Sequence, residues 1–193
     1  PEIAAATAAA GTWNVPTEVL VEQLIDDTPV ADLRLRPETR YVTRAVVNEW
    51  VAAKESQLND RNYNAETAAL AIQQRRRLIL ELHRAGAGLL LGSDAPQTFN
   101  VPGFSVHREL RALVDAGLTP FEALRTGTAA VAEFLGANTG LIAVGRDADL
   151  VLLDANPLQD IGNSNRVHGV MLRGSWLPAS DLARRLKKFE VAR

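Results

Sequence analysis

Cysteine is absent from this 193-residue chain, which removes disulfides, thiolate-bound zinc and a thiol nucleophile from consideration. Histidine occurs only 3 times, at positions 83, 107 and 168, and no two of these stand at metal-ligand spacing. Aromatic residues make up 5% of the chain, too few for a base-stacking platform. Charge of one sign is lacking too: 21 Lys and Arg against 23 Asp and Glu leave a net charge of −2. Such a balance offers no footprint for nucleic acid or for an acidic membrane surface. No apolar run approaches the roughly 18 residues that a membrane-spanning helix requires. A Gly-x-Ser-x-Gly elbow and a glycine-rich phosphate loop are both missing, so serine-hydrolase and nucleotide chemistry have no support.

What remains is 47% hydrophobic residues, the composition of an ordinary soluble globular protein, either one domain or part of a larger one. No secretory leader is legible, and the first residue is Pro1 rather than Met. The encoded start is therefore expected upstream, and the compartment stays open between cytoplasmic and exported.

Along the chain, the Ala-rich stretch 2–10 favours helix, with Gly11 as its stop. Residues 12–21 read as a strand interrupted or ended by Pro16. Residues 26–64 are polar and irregular, with a helical candidate at 40–54. Asn64 opens a long helix through about Ala85, with Leu70, Leu78, Ile79 and Leu82 expected on its inner side. Ser105 reads as the N-cap of a helix ending at Gly117. Thr119-Pro120-Phe121-Glu122 is a capping box with proline at the first helical position, opening a helix that runs to about Gly136. Beyond it the period changes: 150–153 and 167–173 are apolar strand candidates, and Gly174-Ser175 suits a type II′ hairpin. Alternating strands and helices predict parallel pairing, hence an α/β fold.

Residues 88–96, Gly-Leu-Leu-Leu-Gly-Ser-Asp-Ala-Pro, carry the chemistry. A short, wholly apolar run reads as a strand buried on both faces. It stops on Gly92, Ser93 and the carboxylate of Asp94, where a barrel strand would give way to its loop at the reactive mouth. Capping of a turn is the plainer role for such an aspartate.

Further motifs follow in order: Gly103-Phe104-Ser105-Val106-His107-Arg108-Glu109-Leu110, then Asp115-Ala116-Gly117-Leu118-Thr119-Pro120-Phe121-Glu122-Ala123-Leu124, then Thr128-Ala129-Ala130. After these stand Gly140-Leu141-Ile142-Ala143-Val144-Gly145-Arg146-Asp147-Ala148-Asp149-Leu150-Val151-Leu152-Leu153-Asp154, and finally Val170-Met171-Leu172-Arg173-Gly174. The series resembles the C-terminal half of the amidohydrolase superfamily, in particular its imidazolonepropionase-like and prolidase-type members. The resemblance covers roughly residues 85–185 and, more loosely, 1–25. It implies that residues 1–138 form the last βα units of a metal-dependent hydrolase TIM barrel. Residues 139–180 would supply strands of a small composite sandwich, and 181–193 a C-terminal helix or tail.

The same resemblance implies a metal-dependent hydrolase of amide or dipeptide C–N bonds, with zinc as the default metal. Of the family's ligands, only the final aspartate has a counterpart here, and it is Asp94. Its implied roles are metal ligand and proton shuttle, taking the proton of the attacking water and passing it to the leaving amine. His107, near the start of the next helix, is implied on the substrate side, or else packs beneath the loop. His83 and His168 read as structural. Asp147 and Asp149 read as turn-formers entering strand 150–153, and the basic runs 75–77 and 184–188 as solvated helix faces.

One chain with one such ligand cannot build a complete hydrolytic site, and two βα units cannot close a barrel. The sequence therefore reads as a fragment, with a second copy or a missing N-terminal half expected to cover its strand edges. The competing reading is a non-catalytic structural fragment or association partner.

Overall fold

Proline and a left-handed residue decide where the first strand stops. Pro16 carries no N–H to extend a ladder, and Thr17 turns the backbone to φ 48°. In the computed structural model, which describes residues 1–191, the expected strand 12–21 is accordingly reduced to β1, Trp13–Asn14. Residues Glu18–Ile25 form helix α2 instead. There Val19, Leu20 and Gln23 are buried, a spacing that suits one helical face and defeats strand alternation.

Helix α1, Glu2–Ala9, precedes β1, and Gly11 takes the positive φ of 63° that ends the turn. Between α2 and the next long helix the irregular stretch holds α3 (Val30–Arg34), a 3-10 turn (Pro37–Tyr41) and α4 (Arg44–Leu58). The helix expected at 40–54 thus lies four residues further on, because Thr43 provides the N-cap by accepting the Val46 N–H. Helix α5, Ala65–Arg84, is capped by Asn64. Ile79 and Leu82 are buried on it as expected, whereas Leu70 and Leu78 are exposed. The buried stripe of α5 is completed by the small residue Ala68.

Strand β2, Gly88–Leu89, pairs in parallel with β1, Trp13 opposite Gly88 and Asn14 opposite Leu89. This regular part is shorter than the expected strand 88–93. Leu90 N–H still reaches the Asn14 carbonyl, but Leu91 N–H turns to that of Thr126. Close approach demands glycine here: a Cβ at position 88 would collide with the Trp13 ring. Among the described residues β1 and β2 form a two-stranded sheet.

Helix α6 spans Ser105–Asp115. Ser105 is its first residue rather than its N-cap, since Phe104 occupies the cap position without a side-chain hydrogen bond. The capping box is present as read: Thr119 Oγ1 accepts the Glu122 N–H, and Glu122 accepts the Thr119 N–H. The expected single helix is split into α7 (Pro120–Thr126) and α8 (Ala129–Leu135). The split falls at Gly127 and Thr128, where Leu91 packs so closely that a Cβ on Gly127 would meet it.

The chain then changes character. Strands β3 (Leu150–Leu153), β4 (Val167–Leu172) and β5 (Ser175–Pro178) make an antiparallel sheet in that order. The β4–β5 turn has Arg173 and Gly174 at its centre, both with positive φ (49° and 79°). That is a type I′ turn one residue earlier than the expected type II′ turn. Asp149, expected to fix the turn entering strand 150–153, accepts the Arg173 N–H at 2.7 Å and so holds the β4–β5 turn instead. Helix α9, Ala179–Lys187, closes the described chain, and residues 192 and 193 of the expected tail lie outside the described residues.

The main core gathers Ile79 and Leu82 of α5, Leu89 of β2, Leu110 and Leu113 of α6 and Ala123 of α7. Ile161, from a 3-10 turn at Ile161–Asn165, docks into the same core. A second cluster of Leu33, Val51 and Phe99 lies under the helices α3 and α4. Leu113 is 0% exposed, so Leu113→Ala is expected to cost about 2–5 kcal/mol of stability in urea unfolding.

Candidate active site

Asp94 stands where the apolar run ends. Its backbone is left-handed, φ 53°, a conformation in which aspartate is tolerated better than bulkier residues. The side chain is exposed, and its Oδ2 accepts a hydrogen bond from Gln97 Nε2 at 2.7 Å. The residue before it is fastened twice. Ser93 Oγ lies 2.7 Å from Ser105 Oγ at the start of α6, and the Ser93 carbonyl accepts from Asn100 Nδ2 at 2.7 Å. Asn100 is fully buried and forms an isolated bridge with Gln97. The carboxylate is thus presented to solvent on a loop whose stem is fixed.

His107 lies two residues beyond Ser105. Two helical residues are about 200° apart around the axis, so while Ser105 meets the Asp94 loop, His107 meets the 161–165 turn. Its Nδ1 is 3.0 Å from Ser164 Oγ. Burial, with the Arg108 charge behind it, lowers the imidazole's pKa. The structure thus brings Asp94, Gln97, Ser93 and Ser105 together and places His107 on another side of α6.

A buried acid that sequence reading missed sits on the same helix. Glu109 is 0% exposed, and its two oxygens accept the N–H groups of Glu18 (2.9 Å) and Val19 (2.8 Å) at the start of α2. Burial raises its pKa to about 7, against the pull of the two backbone N–H groups. Glu18 is buried beside it; burial raises its pKa as well, opposed by Arg75, whose Nε is 2.9 Å away. The available signal was spacing: Ser105, Glu109 and Leu113 lie four apart, which puts the acid on the buried face.

The histidines do not converge. His83 Nε2 pairs with Glu122 at 3.0 Å and His168 Nδ1 with Asp154 at 2.8 Å. Among the described residues no three His, Asp or Glu side chains group as a metal site would need. Asp94 alone does not make a metal cage, so the donor set present does not fit a complete centre.

The model described as the amidohydrolase family matches residues 1–177. The chain belongs to the amidohydrolase family. That family is generally metal-dependent. Among solved structures, bottromycin amidohydrolase is 29% identical with a TM-score of 0.73, over 94% of this chain and 41% of that one. A Bifidobacterium longum protein assigned as a prolidase is 27% identical with a TM-score of 0.55, over 93% of this chain and 40% of that one. Ochratoxinase of Aspergillus niger is 35% identical over 82 residues, 40% of this chain and 16% of the ochratoxinase. The chain therefore spans about two fifths of the solved relatives' length. Their likeness carries the amidohydrolase-type α/β fold.

Two outcomes are expected. The 193-residue chain should bind zinc no more tightly than micromolar in calorimetry, because a tight site takes about three or more convergent ligands. In the pH series, Glu109 holds its proton in the folded state at pH values where the unfolded carboxyl has lost it. Its contribution therefore lowers stability as pH rises from 4.5, its ordinary value, to about 7. Urea unfolding at stepped pH should show that decline, and Glu109→Gln should flatten it.

Proposed function

We propose that this chain is the C-terminal portion of a zinc-dependent amidohydrolase that cleaves amide or dipeptide C–N bonds. The observation that carries the reading is the place of Asp94. It is an exposed carboxylate on a fixed loop stem beyond the C-terminal end of the parallel strand β2, in a chain whose match to the family runs across it.

In this reading β1 and β2 are neighbouring strands of a (β/α)8 barrel, and Asp94 faces the mouth at their C-terminal ends. The sheet β3–β5 belongs to a smaller sandwich. Asp94 accepts the proton of the water that attacks the substrate carbonyl. It returns that proton to the departing nitrogen, so that acid and amine leave with the proton count closed. Gln97, donating to Oδ2, orients the carboxylate. Asp94 is the one residue of this chain that the reading assigns to the metal. His107, on another side of α6 and within hydrogen-bond distance of Ser164, takes no part in this reading.

The test uses the encoded polypeptide that carries this segment, supplied with zinc and assayed on Xaa-Pro dipeptides and N-acyl amino acids. Asp94→Asn is expected to lower kcat about 10²–10⁴-fold while leaving thermal unfolding unchanged. Full activity in that variant overturns the reading.

A specific observation favours assembly. Among the described residues β2 has β1 as its one strand partner and an edge beyond it, and the second sheet exposes Val151, Leu152, Leu172 and Trp176. Paired edges and covered apolar faces are what strands of this kind require. Light scattering on the 193-residue chain is expected to report a dimer, or a complex with an N-terminal segment when one is co-expressed. A cooperative monomer at micromolar concentration in both experiments overturns this part.

A further inference from the structure

Residues 26–64 carry α3, a 3-10 turn and α4, far more chain than the link from α2 to α5 needs. They pack on the segment that follows Asp94 rather than on the main core. The contact is made by Phe99, 0% exposed, between Leu33 and Val51 and 5.4 Å from the Trp50 ring, centroid to centroid. Its backbone is left-handed, φ 53°, which a bulky residue keeps only where its surroundings hold it.

Around the backbone, polar side chains converge on two carbonyls. Arg36 and Arg108 both donate to the Phe99 carbonyl, at 3.5 and 3.1 Å. Gln23 donates to the Thr98 carbonyl, and Arg36 donates to Gln23. Arg108 also pairs with Glu38 of the 3-10 turn. Further back, Lys54 is 1% exposed and donates to the Gln23 carbonyl (2.8 Å), the Asp26 carbonyl (2.6 Å) and Asp26 Oδ1 (2.8 Å). α4 is thereby tied to the end of α2. One residue past Phe99, Asn100 reaches back to the carbonyl of Ser93, the neighbour of Asp94.

We propose that Phe99 is a positioning residue for Asp94. Docked into the helical excursion 26–64, it fixes the loop 94–100 and, through Asn100 and Ser93, sets where the carboxylate stands. The excursion therefore governs the turnover step rather than substrate affinity. This rests on the catalytic reading of Asp94.

Hydrogen–deuterium exchange on the 193-residue chain tests the mechanical half. Phe99→Ala is expected to speed exchange in residues 94–100 about tenfold while α6 beyond Glu109 keeps its protection, because local opening is confined to the released unit. Phe99→Leu, which keeps an apolar plug, should restore most of that protection. Asn100→Ala leaves the plug in place and cuts the link to Ser93; it should loosen 93–97 while sparing the α3–α4 cluster, and it carries the test should Phe99→Ala not fold.

In the zinc-supplied encoded polypeptide, Phe99→Ala or Asn100→Ala should lower kcat about 10–10²-fold, with KM within about twofold, as misplacement of a reacting group does. Unchanged exchange in 93–100 overturns the proposal. So does a rise in KM alone, or full kcat with a loosened loop in an enzyme that Asp94→Asn inactivates. If Asp94→Asn leaves hydrolysis intact, the catalytic reading fails instead, and exchange still decides whether Phe99 holds the loop.

Discussion

A carboxylate shut away from water organises the centre of this molecule. Glu109 belongs to α6, yet its two oxygens satisfy the first free N–H groups of α2, groups that no residue within α2 can reach. The negative charge, where present, also faces the positive end of that helix. Glu18, one of the two residues so held, extends the arrangement to Arg75 of α5. Three helices that are far apart in sequence are therefore joined through one buried acidic pair. The arrangement is costly, since both carboxyls resist ionisation there, and Glu18 Oε1 has no hydrogen-bond partner among the described residues. The benefit is direction: α2 must leave β1 at the angle that brings Gln23 to the Thr98 carbonyl.

Seen from the loop, the molecule has two layers of restraint. The main core fixes β2, so the strand that leads to Asp94 cannot shift without moving Leu89 among α5 and α6. The second cluster fixes the chain beyond Asp94. The carboxylate lies between the two, exposed, and among the described residues Gln97 is its hydrogen-bond partner. In the proposed catalytic role, an exposed acid on a stem held from both sides meets a substrate without first being ordered, which lowers the entropy cost of reaction.

Legibility in the sequence followed the range of the forces involved. Capping is local, so Asn64 and the Thr119–Glu122 box could be read from four adjacent residues and stand where expected. Apolar runs gave β3 and β4 for the same reason. The failures come where a distant partner decides. Residues 18–21 look extended, but buried Val19 and Leu20 together with Glu109 make them helical. Helix 120–136 breaks at Gly127 and Thr128, where the distant Leu91 N–H takes the Thr126 carbonyl that a continued helix would use. Asp94 is legible as a candidate from its position in a motif; the contacts of Phe99, Asn100 and Arg36 are not, since nothing in their immediate neighbours reveals what they touch.

Two tryptophans crowd glycines: Trp13 beside Gly88 across the parallel pair, and Trp176 beside Gly169 in the antiparallel sheet. A side chain at either glycine would have to enter space that an indole already fills. Each pair therefore behaves as one unit of inheritance. A relative that gained even alanine at the first position would need a smaller residue at the second, and neither single step would be neutral. Across descendants of this chain, the two positions of each pair should drift together or not at all.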